Sequence, residues 1–142
     1  MRKNYTGRIP DDLLYDPHYN MWVRTGNDDV MIGASSFGHC LAGEIIAFTA
    51  KPKGAEVALG RGLGTVECAK TVLAVHAPIS FVLLEANEAA EERPAMLNRD
   101  PYDTGWMVRG RATDWDNERS RLIDAATYRA HIRRLEPAAE FP

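Results

Sequence analysis

The stretch Gly64-Thr-Val-Glu-Cys-Ala-Lys-Thr-Val72 sets one lysine between two short apolar, β-branched runs. Thr65 to Glu67 and Thr71 to Val75 are strand-like, and Ala69-Lys70 between them leaves room only for a turn. The pattern predicts a hairpin with Lys70 at or beside its tip. If strand geometry persists to that tip, period-two alternation puts Cys68 and Lys70 on one face and Glu67 and Ala69 on the other. Only four lysines occur, and the other three (Lys3, Lys51 and Lys53) fall in tail or turn segments. A tight turn lifts an ammonium off a sheet, where an attaching enzyme can reach it, and rigid flanking strands hold the turn in place. Amide formation at such a lysine removes its charge. The plainer reading is an ordinary exposed turn lysine.

Short strands and turns surround this hairpin. Met21 to Arg24 and Val30 to Ile32 read as strands joined by the Gly26 to Asp29 turn, and Ser35 or Ser36 caps a short helix to about Leu41 with Gly43 beyond it. Glu44 to Thr49, Glu56 to Leu59, Ile79 to Glu85 and Trp106 to Arg109 extend the β series. Asn87 to Leu97 holds a helical turn or two broken at Pro94, and Asp116 to about Leu135 reads as one C-terminal helix stopped before Pro137. The expected class is mainly β with helices: a small sandwich or barrel with a short internal helix and a C-terminal helix. The division is an extended arm over 1–16, the domain over 17–136 and a tail over 137–142.

A chain of 142 residues is long enough to bury a core as one domain. A net charge of −3 leaves no basic footprint for nucleic acid. The longest apolar region, Thr71 to Asn87, is interrupted by His76, Pro78 and Glu85, so no membrane span is expected. The charged start lacks a signal core, which makes the cytoplasm the expected location. Cys40 and Cys68 do not make a secreted disulfide framework; they are ordinary buried thiols or redox-active ones.

Other motifs fail on context. Gly60-Arg-Gly-Leu-Gly64 is followed by a strand rather than a helix and lacks the Lys-Ser/Thr of a phosphate loop, so its glycines read as turn residues. Gly33 to Gly38 misses the spacing of a nucleophile elbow. His18, His39, His76 and His131 show no metal-ligand spacing, and His39 beside Cys40 reads as structural. No catalytic constellation remains, and the chain does not read as an enzyme.

The ordered set Trp22-Val-Arg24, Val30-Met-Ile-Gly33, Leu41-Ala-Gly43, Pro52-Lys-Gly54, Val66-Glu-Cys-Ala-Lys70, Ala77-Pro-Ile-Ser80, Asn87, Pro94, Asn98 and Pro101-Tyr-x-x-Gly-Trp106 resembles the glycine cleavage H proteins. Leu122 to Tyr128 resembles that family's last helix. The resemblance implies a barrel-sandwich hybrid fold, with lipoic acid attached at Lys70 and Glu67 helping the attaching enzyme recognise the tip. A biotinyl carrier would flank its lysine with methionines, and a dehydrogenase lipoyl domain would use Asp-Lys-Ala; neither is present. Phe81 stands where the family usually has glycine, expected near the modified hairpin, and His18-Tyr-Asn-Met-Trp22 replaces a tighter His-Glu-Trp. With the two cysteines, these departures look like the H-like lipoate-binding proteins of heterodisulfide-reductase-like sulfur oxidation. That likeness implies a lipoate-attaching enzyme and that complex as partners, a sulfur-bound cargo or reducing equivalents, and possible redox roles for Cys68 and Cys40. The alternative is aminomethyl transfer with glycine decarboxylase, aminomethyltransferase and dihydrolipoyl dehydrogenase. A further alternative, an unmodified binding module, rests on Phe81 blocking attachment. The carrier is expected to be a monomer. Trp22 and Trp106 are expected in the core, and Arg129, Arg133 and Arg134 on a solvated face.

Overall fold

Strand β2 (Met21–Thr25) shows how the layers form. Its alternation sends Met21 and Val23 into one apolar cluster and Trp22 into a second, so the strand is buried on both faces. The computed structural model describes residues 4–142, so Lys3 and the first residues of the expected arm lie outside the described residues. In chain order β1 (Leu14–Asp16) and β2 precede β3 (Val30–Ala34), α1 (Ser36–Ala42), β4 (Ile45–Ala50) and β5 (Glu56–Val57). Then come β6 (Gly62–Cys68), β7 (Thr71–His76), β8 (Phe81–Ala86), α2 (Glu88–Glu92), α3 (Ala95–Arg99), β9 (Val108–Ala112), α4 (Trp115–Glu118) and α5 (Ala125–Leu135).

The strands form an open six-stranded sheet, β1-β2-β3-β9-β8-β5, and an open three-stranded sheet, β4-β6-β7. Phe48, Val66 and Cys68 of the small sheet join Ile32, Leu83 and Val108 of the large one in the main core. On the large sheet's other face, Trp22 and Tyr15 pack with Phe37, Tyr102, Tyr128 and Ile132. Trp22 is wholly buried, and its Nε1–H donates to Pro101 O at 2.9 Å, which closes the one polar debt of that ring. Trp106 only packs against this cluster, half-buried. This mainly β arrangement agrees with the expected class.

Three details differ from the sequence reading. Residues 4–16 do not hang free: Tyr5, Ile9, Leu13 and Tyr15 are buried in the second core. The single helix expected from Asp116 is α4, a 3-10 turn (Arg119–Arg121) and α5. The break comes at Ile123, whose N–H and C=O bond the backbone of Tyr15 at 2.8 and 2.9 Å, an extended pairing that a helix cannot make. Asp124 then restarts the helix by accepting from Thr127 N–H at 2.8 Å.

The third concerns Phe81, which lies in β8 of the large sheet, 1% exposed and paired with Val57 and Ala112, whereas the Lys70 turn belongs to the small sheet. It is a core ring and blocks nothing at the hairpin. Its space comes from Gly110 on β9, where an added Cβ would stand 2.3 Å from Phe81 Cδ2 and 3.0 Å from Val82 O. Gly110→Ala is expected to destabilise the protein by about 1–3 kcal/mol through overpacking. In Phe81→Leu the same change should be better tolerated, and a urea-denaturation double-mutant cycle checks the coupling.

Candidate functional site

The hairpin closes where the sequence places it. Strands β6 and β7 pair in antiparallel register, and Cys68↔Thr71 leaves Ala69-Lys70 as a two-residue turn. Lys70 is exposed there, and among the described residues neither it nor Glu67 makes a side-chain hydrogen bond or ion pair. Strand geometry does not persist to the tip. Cys68 is buried in the main core while Lys70 points to solvent, so the two do not share a face. Glu67 pairs with Val72 in register, and both are exposed beside the tip. Cys40 is exposed on α1, and both thiols are free.

The close approach of β4 and β6 holds this hairpin. A Cβ at Gly64 would stand 2.5 Å from Thr49 O, so Gly64 is a packing glycine inside a strand rather than a turn residue. Strand β7 is the sheet's outer strand and exposes Thr71 to Ala74, so one edge of the Lys70 hairpin is open. Leu41 and Ile46 add exposed apolar side chains to those of Val72 and Leu73.

Between β7, α1 and the start of β2 lies an apolar cleft of about 160 Å³, which sequence reasoning missed. Met21, Ala34, Ala42, Ile45, Val66, Leu73, Val75 and Met107 line it, with Tyr19, Asn20, His39 and His76 as its main polar members and no acidic residue. The rings of Tyr19 and His76 stack at 4.9 Å, and His76 Nδ1 lies 2.8 Å from Gly60 O. Asn20 adopts a positive φ of 58° and is tied down by Ser35 N–H, donating to Asn20 O, and Tyr128 O–H, donating to Asn20 Oδ1. Gly38 lets α1 come close: a Cβ there would stand 2.8 Å from Asn20 O. Ser35 caps α1 by accepting from Gly38 N–H at 3.0 Å. That docking buries His39, whose Nε2 has no hydrogen-bond partner among the described residues. Burial pulls its imidazole down from 6.5 to about 4, so the ring is neutral at pH 7.

Asn98 and Asn87 brace the surrounding loops. Asn98 donates to Gly43 O and accepts from Ile45 N–H, and Asn87 donates to Thr104 O and Trp106 O. Of the expected arginine face, Arg129 is engaged, bonding Ile9 O and Asp11. Among the described residues no cluster of metal-ligating side chains occurs, and no helix is long and apolar enough to cross a membrane.

Two open sheets hold the hairpin and present one lysine at its tip. The profile of the Glycine cleavage H-protein family matches residues 13–135. A glycine cleavage system H protein of Synechococcus elongatus is 38% identical over 124 residues, covering 87% of this chain and 94% of that one. One from Mycolicibacterium smegmatis is 35% identical over 126 residues, covering 87% and 96%. The crystal structure of a glycine cleavage system H protein from Mycobacterium marinum superimposes with a TM-score of 0.73 at 27% identity, over 87% of this chain and 98% of that one. The chain belongs to the glycine cleavage H-protein family, whose members are non-catalytic carriers of lipoic acid bound covalently to a lysine.

The unpaired imidazole yields a stability prediction. His39→Leu removes a buried nitrogen without a partner and should stabilise the protein by about 1 kcal/mol at pH 7. Between pH 6.5 and about 4 the unfolded chain binds a proton that folded His39 does not, so wild-type stability falls as pH falls through that window. The advantage of His39→Leu should therefore widen on acidification, by on the order of 3 kcal/mol at pH 4. Urea unfolding of both proteins at pH 7, 5.5 and 4.5 checks the direction.

Proposed function

We propose that Lys70 carries the lipoyl group and that the protein moves a cargo between the enzymes of glycine cleavage. The exposed Lys70 on its two-residue turn carries this reading, supported by the family match along most of the chain. The residues fit the group: the amine is accessible, has no ion-pair partner among the described residues, and stands at the end of a strand pair that is in continuous register from Gly64 to Cys68. When attached, the dithiolane supplies thiol–disulfide exchange and a sulfur able to hold a substrate fragment. The chain's own part is presentation. The turn projects Lys70, the paired strands limit its wandering, and Glu67 beside it gives an attaching enzyme a charge to recognise. The open β7 edge and the exposed Val72 and Leu73 offer contact to the partners, for which we take glycine decarboxylase, aminomethyltransferase and dihydrolipoyl dehydrogenase, in the cytoplasm.

One observation favours a second reading. In glycine cleavage the carried group is an amine, protonated at neutral pH, and the cleft beside the hairpin has no acidic residue to balance it. A sulfur cargo or reducing equivalents, delivered to a heterodisulfide-reductase-like complex, needs no such counter-charge. In that chemistry Cys40, the exposed thiol, is better placed for exchange than buried Cys68.

Intact-mass measurement on protein from its native cells, with Lys70→Arg as control, should show one lipoyl-sized increase that the variant lacks. Glu67→Ala should lower the rate of attachment while leaving the unmodified fold intact. Purified glycine decarboxylase with glycine should load the lipoylated wild type. Failure to load, with a competent H protein as positive control, would move the assignment to sulfur chemistry.

A further inference from the structure

The two sheets have four outer edges, and three of them are closed. On β1, Tyr15 exchanges both backbone bonds with Ile123, at 2.8 and 2.9 Å. On β4, the N–H groups of Ile45 and Ala50 donate to Asn98 Oδ1 of α3 and Glu91 Oε2 of α2. Strand β5 is two residues long and exposes Glu56. The fourth edge is β7, six residues long, whose only strand neighbour among the described residues is β6. Its residues Thr71 to Ala74 are exposed, Val72 at 60% and Leu73 at 39%. A sheet edge is ordinarily guarded by shortness, a cover, a charge or a proline, and the run Thr71 to Val75 has none of these.

A bare edge offers alternating N–H and C=O groups, so what fits it is an extended strand. The run itself selects which strand. Thr71-Val-Leu-Ala-Val75 holds no charged side chain and no proline, so an identical run laid antiparallel meets no repulsion and no missing donor. A two-fold axis through the joined sheet keeps each side chain on its own face, so residues of the same parity stand opposite each other. Full overlap of the uncharged run then sets Leu73 opposite Leu73 of the second copy, Val72 opposite Ala74 and Thr71 opposite Val75. In that register the two Lys70 turns lie at opposite ends, roughly 20 Å apart along the strands and well beyond the screening length of about 8 Å.

We infer that β7 pairs with the β7 of a second copy of this chain, joining two three-stranded sheets into one of six strands. Five residues a side are far fewer than the roughly 20–30 of a stable interface, so this dimer is weak and forms only at high local concentration. The monomer expected from the sequence persists in dilute solution. Both Lys70 turns stay open in the dimer, whereas the edge proposed above as a contact for partner enzymes is covered. Self-pairing therefore competes with those enzymes and guards the edge while none of them holds it. The inference stands whatever Lys70 carries.

Sedimentation velocity and amide hydrogen exchange on the full chain, from about 10 μM to about 1 mM, test it. A reversible monomer–dimer shift should appear, with exchange of the Thr71 to Ala74 amides slowing as concentration rises and exchange in β4 unchanged. Val72→Lys, at an exposed position outside the core, should weaken association by about tenfold or more. Leu73→Lys and Leu73→Glu should each stay monomeric, and an equimolar mixture of the two should associate again, because like charges across the axis become an opposite pair. Unfolding curves check that each variant is folded, and Val72→Lys alone suffices if a Leu73 variant is not. A wild type that stays monomeric throughout, a dimer whose β7 amides remain unprotected, or one that Val72→Lys leaves unchanged would overturn the inference. Folded Leu73 variants that fail to associate when mixed would overturn it too. Protection of the β7 amides that appears only with a lipoate-attaching enzyme or glycine decarboxylase would assign the edge to that enzyme instead.

Discussion

The register of β6 between β4 and β7 is the constraint on which the rest depends. Gly64 brings β6 against the backbone of β4 at a point where any side chain would collide with Thr49 O. From there the alternation runs outward: Thr65 and Glu67 are exposed, and Val66 and Cys68 are buried. A slip of one residue would bury Glu67 and expose Val66 and Cys68, so the hydrophobic core itself enforces the pairing. Because the register is fixed, the chain reverses after Cys68 and nowhere else, and Lys70 falls on the turn. The position of Lys70 thus follows from a close backbone contact several residues away on the preceding strand.

What the sequence disclosed and what it hid divide along the same physical line. The hairpin was legible because its signal is local: two β-branched runs with two residues between them. The short helix capped by Ser35, the break at Pro94 and the end of the last helix before Pro137 were legible for the same reason. The continuous helix from Asp116 was misread because Leu122 and Ile123 fit a helical period. Their extended state comes from the pairing of Ile123 with Tyr15, more than a hundred residues earlier in the chain. Phe81 was misplaced for a similar reason. Its allowance is Gly110 on the neighbouring strand, which no reading of residues near position 81 would reveal.

The cleft was the least legible part, since it draws on β2, β3, α1, β4, β6, β7 and two connecting segments. Its one sequence trace lies in α1. Ser35 caps the helix, Gly38 removes the side chain that would hold the helix off Asn20, and His39 and Ala42 are three apart on one face. Read as a neighbour of Cys40, His39 is unremarkable. Placed by the helix, it stands with the cleft while Cys40 stands in solvent.

A buried imidazole nitrogen without a partner weakens the protein, and a leucine at position 39 would fill similar space without that penalty. Most of the lining is apolar, so nothing in packing alone calls for a nitrogen at position 39.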